Sequence, residues 1–287
     1  MSHAIIIPIY CESRNTIILC NELQNFGAEH IVVVNDGLNP KSEYFNELTS
    51  IGCHLVHLKN NNGKGASLKA GIKYAHDNLY NITGYITCDA DGQHTANDVM
   101  KISRMLDLRN GSLILGKRDY KKSKMPINIR IGNRLSSAYF KVITGKSCRD
   151  TQTGLRGIPA FLYDTVMKTK GSRFDFEMNF LTKCADMRVP FYFVNIIADC
   201  SNCSSNFRLI KDTYLIYRTP LRFATASIGC TIIDLVLFTI FAYILPSHMF
   251  FNIMLATLMA RVVSGGINFL INRKVIFGNT DNGAKQA

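Results

Sequence analysis

The run Gly84-Tyr85-Ile86-Thr87-Cys88-Asp89-Ala90-Asp91-Gly92-Gln93-His94 decides how this chain is read. Its first five residues form a short buried-strand pattern, and two acidic residues at alternate positions follow where that strand must end. Alternate positions in a tight turn present two hard oxygen ligands, Asp89 and Asp91, to one Mg2+ or Mn2+, with room left for phosphate oxygens. No second histidine stands at ligand spacing from His94, which leaves it a supporting or capping residue.

Working outward, comparable apolar runs occur at Ala4 to Ile9, His30 to Val34, Cys53 to Leu58 and Ser112 to Gly116. Helical patterns separate them, such as Arg14 to Phe26 and the segment reaching about Asp77. This alternation predicts an α/β fold with a mostly parallel sheet sandwiched by helices, and such sheets bind ligands beyond the carboxyl ends of their strands. Tyr10 and Glu12 follow the first run, and Asn35, Asp36 and Gly37 follow the second. One such carboxylate is equally well read as a helix cap; three at one edge point to a site. Asn62-Gly63-Lys64-Gly65-Ala66 opens a further helix, where glycines permit close backbone approach to a ligand and Lys64 favours an anion. The Walker spacing is absent, and no GxGxxG follows the first strand.

The order Ile7-Pro8-Ile9-Tyr10-Cys11-Glu12, Val34-Asn35-Asp36-Gly37, Asn62-Gly63-Lys64-Gly65 and Asp89-Ala90-Asp91-Gly92-Gln93-His94 resembles the inverting family 2 glycosyltransferases of the GT-A fold. The block Arg149-Asp150-Thr151-Gln152-Thr153-Gly154-Leu155-Arg156 is similar to the polyprenyl-phosphate sugar transferases among them, the dolichyl-phosphate mannose synthase-like group. The resemblance implies that Pro8, Tyr10, Glu12 and Asp36, with Lys64 and Asp89, hold a UDP- or GDP-linked sugar. It implies that Asp89, Asp91 and Gln93 hold the metal and diphosphate. Cys11 stands where the family usually has Asn, and Asn35 where it has the first of two Asp.

The resemblance further implies polyprenyl phosphate, such as undecaprenyl phosphate, as acceptor, with Arg118 and Arg130 clamping its phosphate. A phosphate monoester is ionised near neutral pH and needs no strong base, so catalysis is mostly positioning and electrostatics. Asp91 serves that chemistry through the metal. Asp150 orients the acceptor or acts as base; the alternative is a loop carboxylate paired with Arg149 or Arg156. Glu177, after Phe174-Asp175-Phe176, resembles the family's acidic acceptor-side helix or simply caps it. Lys117, Arg118, Lys121, Lys122, Lys124, Arg130 and Arg134 make a basic stretch without interleaved aromatics, which argues against nucleic acid and suits an anionic membrane. Beside it, Ile127, Ile131, Leu135, Ala138 and Val142 recur at helical spacing, a face that packs on the sheet or rests on a bilayer.

The chain has 287 residues, 47% of them hydrophobic, with a net charge of +12 and a mean hydropathy of +0.06. Disorder is excluded, and the apolar excess lies at the C-terminal end. Leu221 to Leu245 and Met249 to Ile271 are each long enough to cross a bilayer and are joined only by Pro246, Ser247 and His248. Arg218 and Arg222 before the first span and Arg273 and Lys274 after the second put both outer ends in the cytoplasm. Ala4 to Ile9 is too short for a signal peptide, and the nine cysteines suit a reducing compartment; the Cys200/Cys203 pair has no partner cluster. The expected domains are a cytoplasmic transferase at 1–218 with interfacial helices, a hairpin at 219–277 and a polar tail at 278–287. The hairpin resembles half of a GtrA-like membrane domain, which leaves a homo-oligomer or a small membrane protein as partner.

Asp234 and Arg261 stand nearly equally far from the turn, so they are expected to pair near the bilayer centre. Ser264, Gly265 and Gly266 offer a small-residue helix face. Two other functions compete: transfer to a glycan or glycolipid hydroxyl, with Asp150 or Glu177 as a true base, and a non-catalytic membrane scaffold.

Overall fold

The computed structural model describes residues 2–118, 127–197, 209–245 and 250–271, except the side chains at 127–129, 209–226, 250–251 and 271. Lys121, Lys122, Lys124, Cys200, Cys203, Asn206 to Arg208, Pro246 to His248, Arg273, Lys274 and the tail lie outside the described residues. The chain divides into two compact units, Met1–Asp212 and Thr213–Ala287.

In the first unit the elements alternate: β1 (Ser2–Ile9), α1 (Arg14–Asn25), β2 (His30–Asp36), α2 (Glu43–Ser50), β3 (His54–Leu58), α3 (Lys64–Asn78), β4 (Ile82–Thr87), α4 (Ala96–Leu108) and β5 (Leu113–Arg118). Then follow α5 (Ile127–Thr144), β6 (Arg156–Pro159), α6 (Tyr163–Lys168), α7 (Asp175–Asp186) and β7 (Phe191–Ile196). One seven-stranded sheet runs in the order β3-β2-β1-β4-β6-β5-β7. Among the described strands only β6 is antiparallel to its neighbours; β1 pairs in parallel with β2 and β4, and β5 with β7.

The central strands β1 and β2 are buried on both faces, and their residues sort by parity. Ala4, Ile6, Val32 and Val34 pack with Leu68 and Ile72 of α3 and Phe176 of α7. Ile5, Ile7, Ile9, Ile31 and Val33 pack with Ile17 and Leu23 of α1, Leu48 of α2 and Ile102 of α4. Each buried Ile, Leu or Val contributes roughly 1.5–3 kcal/mol, enough to hold helices of modest propensity against the sheet. The two strands that the apolar runs did not announce are β6 and β7. Four residues containing Arg156, Gly157 and Pro159 do not read as a core strand, yet all four are buried. The Arg156 guanidinium is satisfied there by the carbonyls of Thr151, Thr153 and Glu177.

α5 faces the opposite way from packing on the sheet with its apolar stripe. Asn133, Ser136 and Phe140 are buried, whereas Ile131, Leu135, Ala138 and Val142 are exposed, Val142 by 83%. At about 100° per residue, Arg130, Arg134 and Lys141 line one flank of that stripe.

The second unit holds α8 (Leu209–Ile244) from Thr213 onward and α9 (Phe250–Ile271). Ser227–Ile244 and Asn252–Leu270 are long and apolar enough to cross a membrane, with mean hydropathies of 2.0 and 1.6. Ala256, Ala260 and Ser264, one turn apart on α9, are buried, as is Cys230 on α8. Small residues at this spacing let helices approach closely. Of the Ser264-Gly265-Gly266 face, Ser264 is buried within the hairpin, while Gly265 and Gly266 look onto open space. Arg261 Nε lies 3.7 Å from Asp234 Oδ2, and the Ser264 hydroxyl donates to Asp234 Oδ1 at 2.7 Å.

Candidate active site

The carboxyl ends of β1, β2 and β4 bring Tyr10, Asp36 and Asp89 to one edge of the sheet. Pro8 is buried inside β1, while Glu12 is exposed just beyond it. The Tyr10 hydroxyl is pushed up to about 12 by burial, then by the Cys11 thiol and the Asp91 and Asp89 carboxylates.

Asp36 is almost fully buried, and its two oxygens accept the backbone N–H groups of Asn62 (2.7 Å) and Gly63 (2.9 Å). It therefore latches the loop that opens α3. Asn35 is spent in the same way, closing its own turn through Leu38 and bonding His57. The glycines of that loop also have a packing reason of their own. A Cβ on Gly63 would meet Arg173 Cγ at 2.6 Å, and one on Gly65 would overlap Phe176 Cβ. Ala66 N–H donates to the Ser172 carbonyl at 2.9 Å. What approaches the glycines closely is the protein's own 172–176 segment.

This packing delivers Lys64 into the site. Its ammonium is 2.6 Å from Asp89 Oδ1 and 3.0 Å from Glu177 Oε1, with its side chain only 16% exposed. Burial alone would lower the Lys64 pKa, but the carboxylates of Asp89 and Glu177 hold it above its ordinary value. Asp89 shows the converse: burial would raise it, yet Lys64 and His94 keep it well below the usual carboxylate range. His94 is buried, with Nε2 3.6 Å from Asp89 Oδ2. Glu177 stands in the first turn of α7, not at its cap, which is Phe174.

The Asp89–Asp91 turn is held from outside. Asn15 and Thr16 of α1 donate to the carbonyls of Asp91 and Ala90 at 3.3 Å. Gln93 bonds Asp91 twice, through its backbone N–H at 3.1 Å and its side-chain amide. The Asp89 carboxylate lies on Gly154, where any Cβ would overlap it, and the Thr87 hydroxyl bonds the Gly154 carbonyl at 2.8 Å. A glycine inside the Arg149–Arg156 block was the only signal of this contact in the sequence.

The donor set suits a divalent cation. Asp89 and Asp91 offer hard oxygens, and burial followed by repulsion from Asp89 raises the Asp91 pKa, a strain that a bound cation relieves. Among the described residues no group of three His, Cys, Asp or Glu forms a metal cage, so phosphate and water oxygens would complete the shell.

Asp150 and Arg118 are brought to each other. Arg118 Nε and Nη2 donate to Asp150 Oδ2 and Oδ1, both at 2.7 Å, and its backbone N–H donates to Oδ2 at 3.3 Å. Asp150 is 1% exposed and Arg118 6%. This corrects the expected partner of Asp150, since Arg149 is exposed and Arg156 is occupied by carbonyls. Arg130 is exposed on α5.

A doubly covered sheet with acidic residues at its carboxyl edge, and with β6 reversed beside β4, is the architecture of GT-A transferases that use nucleotide sugars. The chain belongs to glycosyl transferase family 2, whose model matches residues 4–164, and it is a glycosyltransferase. It is 32% identical over 188 residues to an uncharacterized protein of Methanocaldococcus jannaschii, covering 62% of this chain and 73% of that protein. It is 28% identical over 172 residues to the UDP-N-acetylglucosamine–dolichyl-phosphate N-acetylglucosaminyltransferase of Methanococcus voltae, covering 53% and 67% of the two chains. Among solved structures, glucosyl-3-phosphoglycerate synthase from Mycobacterium tuberculosis with Mn2+, UDP-glucose and glycerol 3-phosphate superposes with a TM-score of 0.55. That match has 12% identity and covers 77% of this chain and 78% of that one, a likeness of fold.

Proposed function

We propose that this enzyme moves a sugar from a UDP-sugar to the phosphate of a polyprenyl lipid, with inversion, at the cytoplasmic face of a membrane. The observation that carries the lipid acceptor is the exposed stripe of Ile131, Leu135 and Val142 on α5, flanked by Arg130, Arg134 and Lys141. An apolar face bordered by cations on an otherwise folded domain suits the interface of an anionic bilayer. Two membrane-length helices in the same chain and a relative named for a dolichyl-phosphate acceptor support the same reading.

Tyr10 and Glu12, beside buried Pro8, line the nucleoside end of the site, and Asp36 shapes it by fixing the 62–63 loop. Asp89 and Asp91 would hold Mg2+ or Mn2+, with Gln93 orienting Asp91. Such a cation offsets the charge of the departing nucleoside diphosphate. An ionised phosphate oxygen of the acceptor attacks the anomeric carbon opposite the diphosphate. As the new C–O bond forms, the bond to the diphosphate breaks and its electron pair leaves on the β-phosphate oxygen. No proton need be removed, which agrees with Asp150 and Glu177 each standing beside a cation. Asp150 then orients Arg118 near the acceptor, and Arg130 approaches the phosphate from α5.

The test is mass spectrometry of the lipid fraction after incubating the full-length protein with Mn2+, polyprenyl phosphate and UDP- and GDP-sugars. A glycosylated lipid phosphate formed from a UDP-sugar supports the reading. Donor binding without lipid modification, with transfer to a glycan hydroxyl, overturns it.

A further inference from the structure

Lys64 stands between two carboxylates that belong to different parts of the site. Asp89 follows β4 on the donor side, and Glu177 lies on α7, which packs against the opposite wall of the Gly63-Lys64-Gly65 loop. Both ends are fixed. The loop is tied to Asp36 and to the Ser172 carbonyl, and Arg156 Nη1 donates to the Glu177 carbonyl at 2.8 Å. The Glu177 side chain is 10% exposed and has the ammonium at 3.0 Å, so its charge is already matched. A carboxylate held this way serves as a counter-ion to the ammonium.

We infer that Glu177 is a positioning residue for Lys64: by sharing the ammonium with Asp89, it sets how much negative charge Asp89 keeps for a divalent cation. Without Glu177, Lys64 rests wholly on Asp89 and competes with the metal. Without Lys64, Asp89 is free to meet it. The inference rests on Asp89 and Asp91 holding the metal and is independent of which acceptor is used.

The experiment is a Mn2+ titration of the full-length protein in detergent, without nucleotide or acceptor, with free Mn2+ read by electron paramagnetic resonance. Glu177→Gln, which keeps shape and removes charge, is expected to weaken Mn2+ binding by about three- to tenfold. Lys64→Met is expected to tighten it by a similar factor. In the Lys64→Met background, Glu177→Gln should change the affinity by less than about twofold, because its effect runs through Lys64. Unchanged Mn2+ affinity in Glu177→Gln with a steep loss of kcat makes Glu177 a general base and overturns the inference. So does an equal loss of affinity in both backgrounds. If Glu177→Gln unfolds, Lys64→Met alone decides: no gain in Mn2+ affinity overturns the idea. Wild-type protein that binds no Mn2+ either alone or with UDP removes the metal site and the inference with it, whereas failure to glycosylate a lipid phosphate removes only the proposed acceptor.

Discussion

Arg118 and Asp150 meet through two parallel hydrogen bonds of 2.7 Å, both side chains buried, at the point where β5 ends. A buried pair of this kind is strongly coupled, because removing one partner strands the other charge away from water. Asp150→Ala should therefore lower stability by about 3–5 kcal/mol, seen as a large drop in thermal midpoint. Arg118→Met combined with Asp150→Leu should recover much of that loss. An Asp150→Ala protein that keeps its midpoint and loses only turnover would mark Asp150 as a base.

Gly154 gives the Asp89 carboxylate its bed. Gly154→Ala should displace Asp89 and reduce kcat/KM at least about tenfold, while overpacking costs about 1–3 kcal/mol of stability. Full activity in this variant would show that Asp89 tolerates a different position.

Asp91→Asn should abolish transfer with little change in unfolding, and chelation of divalent ions should do the same to the wild type. Adding back Mn2+ or Mg2+ should restore only the chelated wild type. Activity that persists through chelation would remove the cation from the reaction.

The apolar stripe on α5 is exposed, so Leu135→Glu and Val142→Glu should leave stability within about 0.5 kcal/mol. They should weaken transfer to acceptor lipid in vesicles far more than they weaken UDP-sugar binding. Equal transfer rates for wild type and variants in vesicles would separate α5 from the membrane.

Among the described residues, Arg261→Leu leaves Asp234 with only the Ser264 hydroxyl. A loss of about 1–2 kcal/mol is expected, read as a lower thermal midpoint and poorer recovery from membranes. Ser264→Ala should cost less, since the charge pair survives it.

The strands that carry Tyr10, Asp36 and Asp89 were legible because each is a continuous apolar run ending in polar residues, a pattern that burial on both faces imposes. β6 was not, because its burial depends on carbonyls from Thr151, Thr153 and Glu177 that satisfy Arg156 from elsewhere in the chain. α5 was legible as an amphipathic helix, yet its inward face proved to be Asn133, Ser136 and Phe140, since Asn133 and Ser136 bond Thr151.

By itself, the sequence determined the alternation of strands and helices, the acidic edge of the sheet and the two membrane-length apolar segments, because periodicity and local composition dictate those directly. It took the packed fold to join Lys64 to Asp89 and Glu177, to latch a loop onto Asp36, to make room for Asp89 at Gly154 and to pair Asp150 with Arg118. These are contacts between residues far apart in the chain. Which carboxylate receives which cation depends on where packing sets their backbones, and no local pattern encodes that.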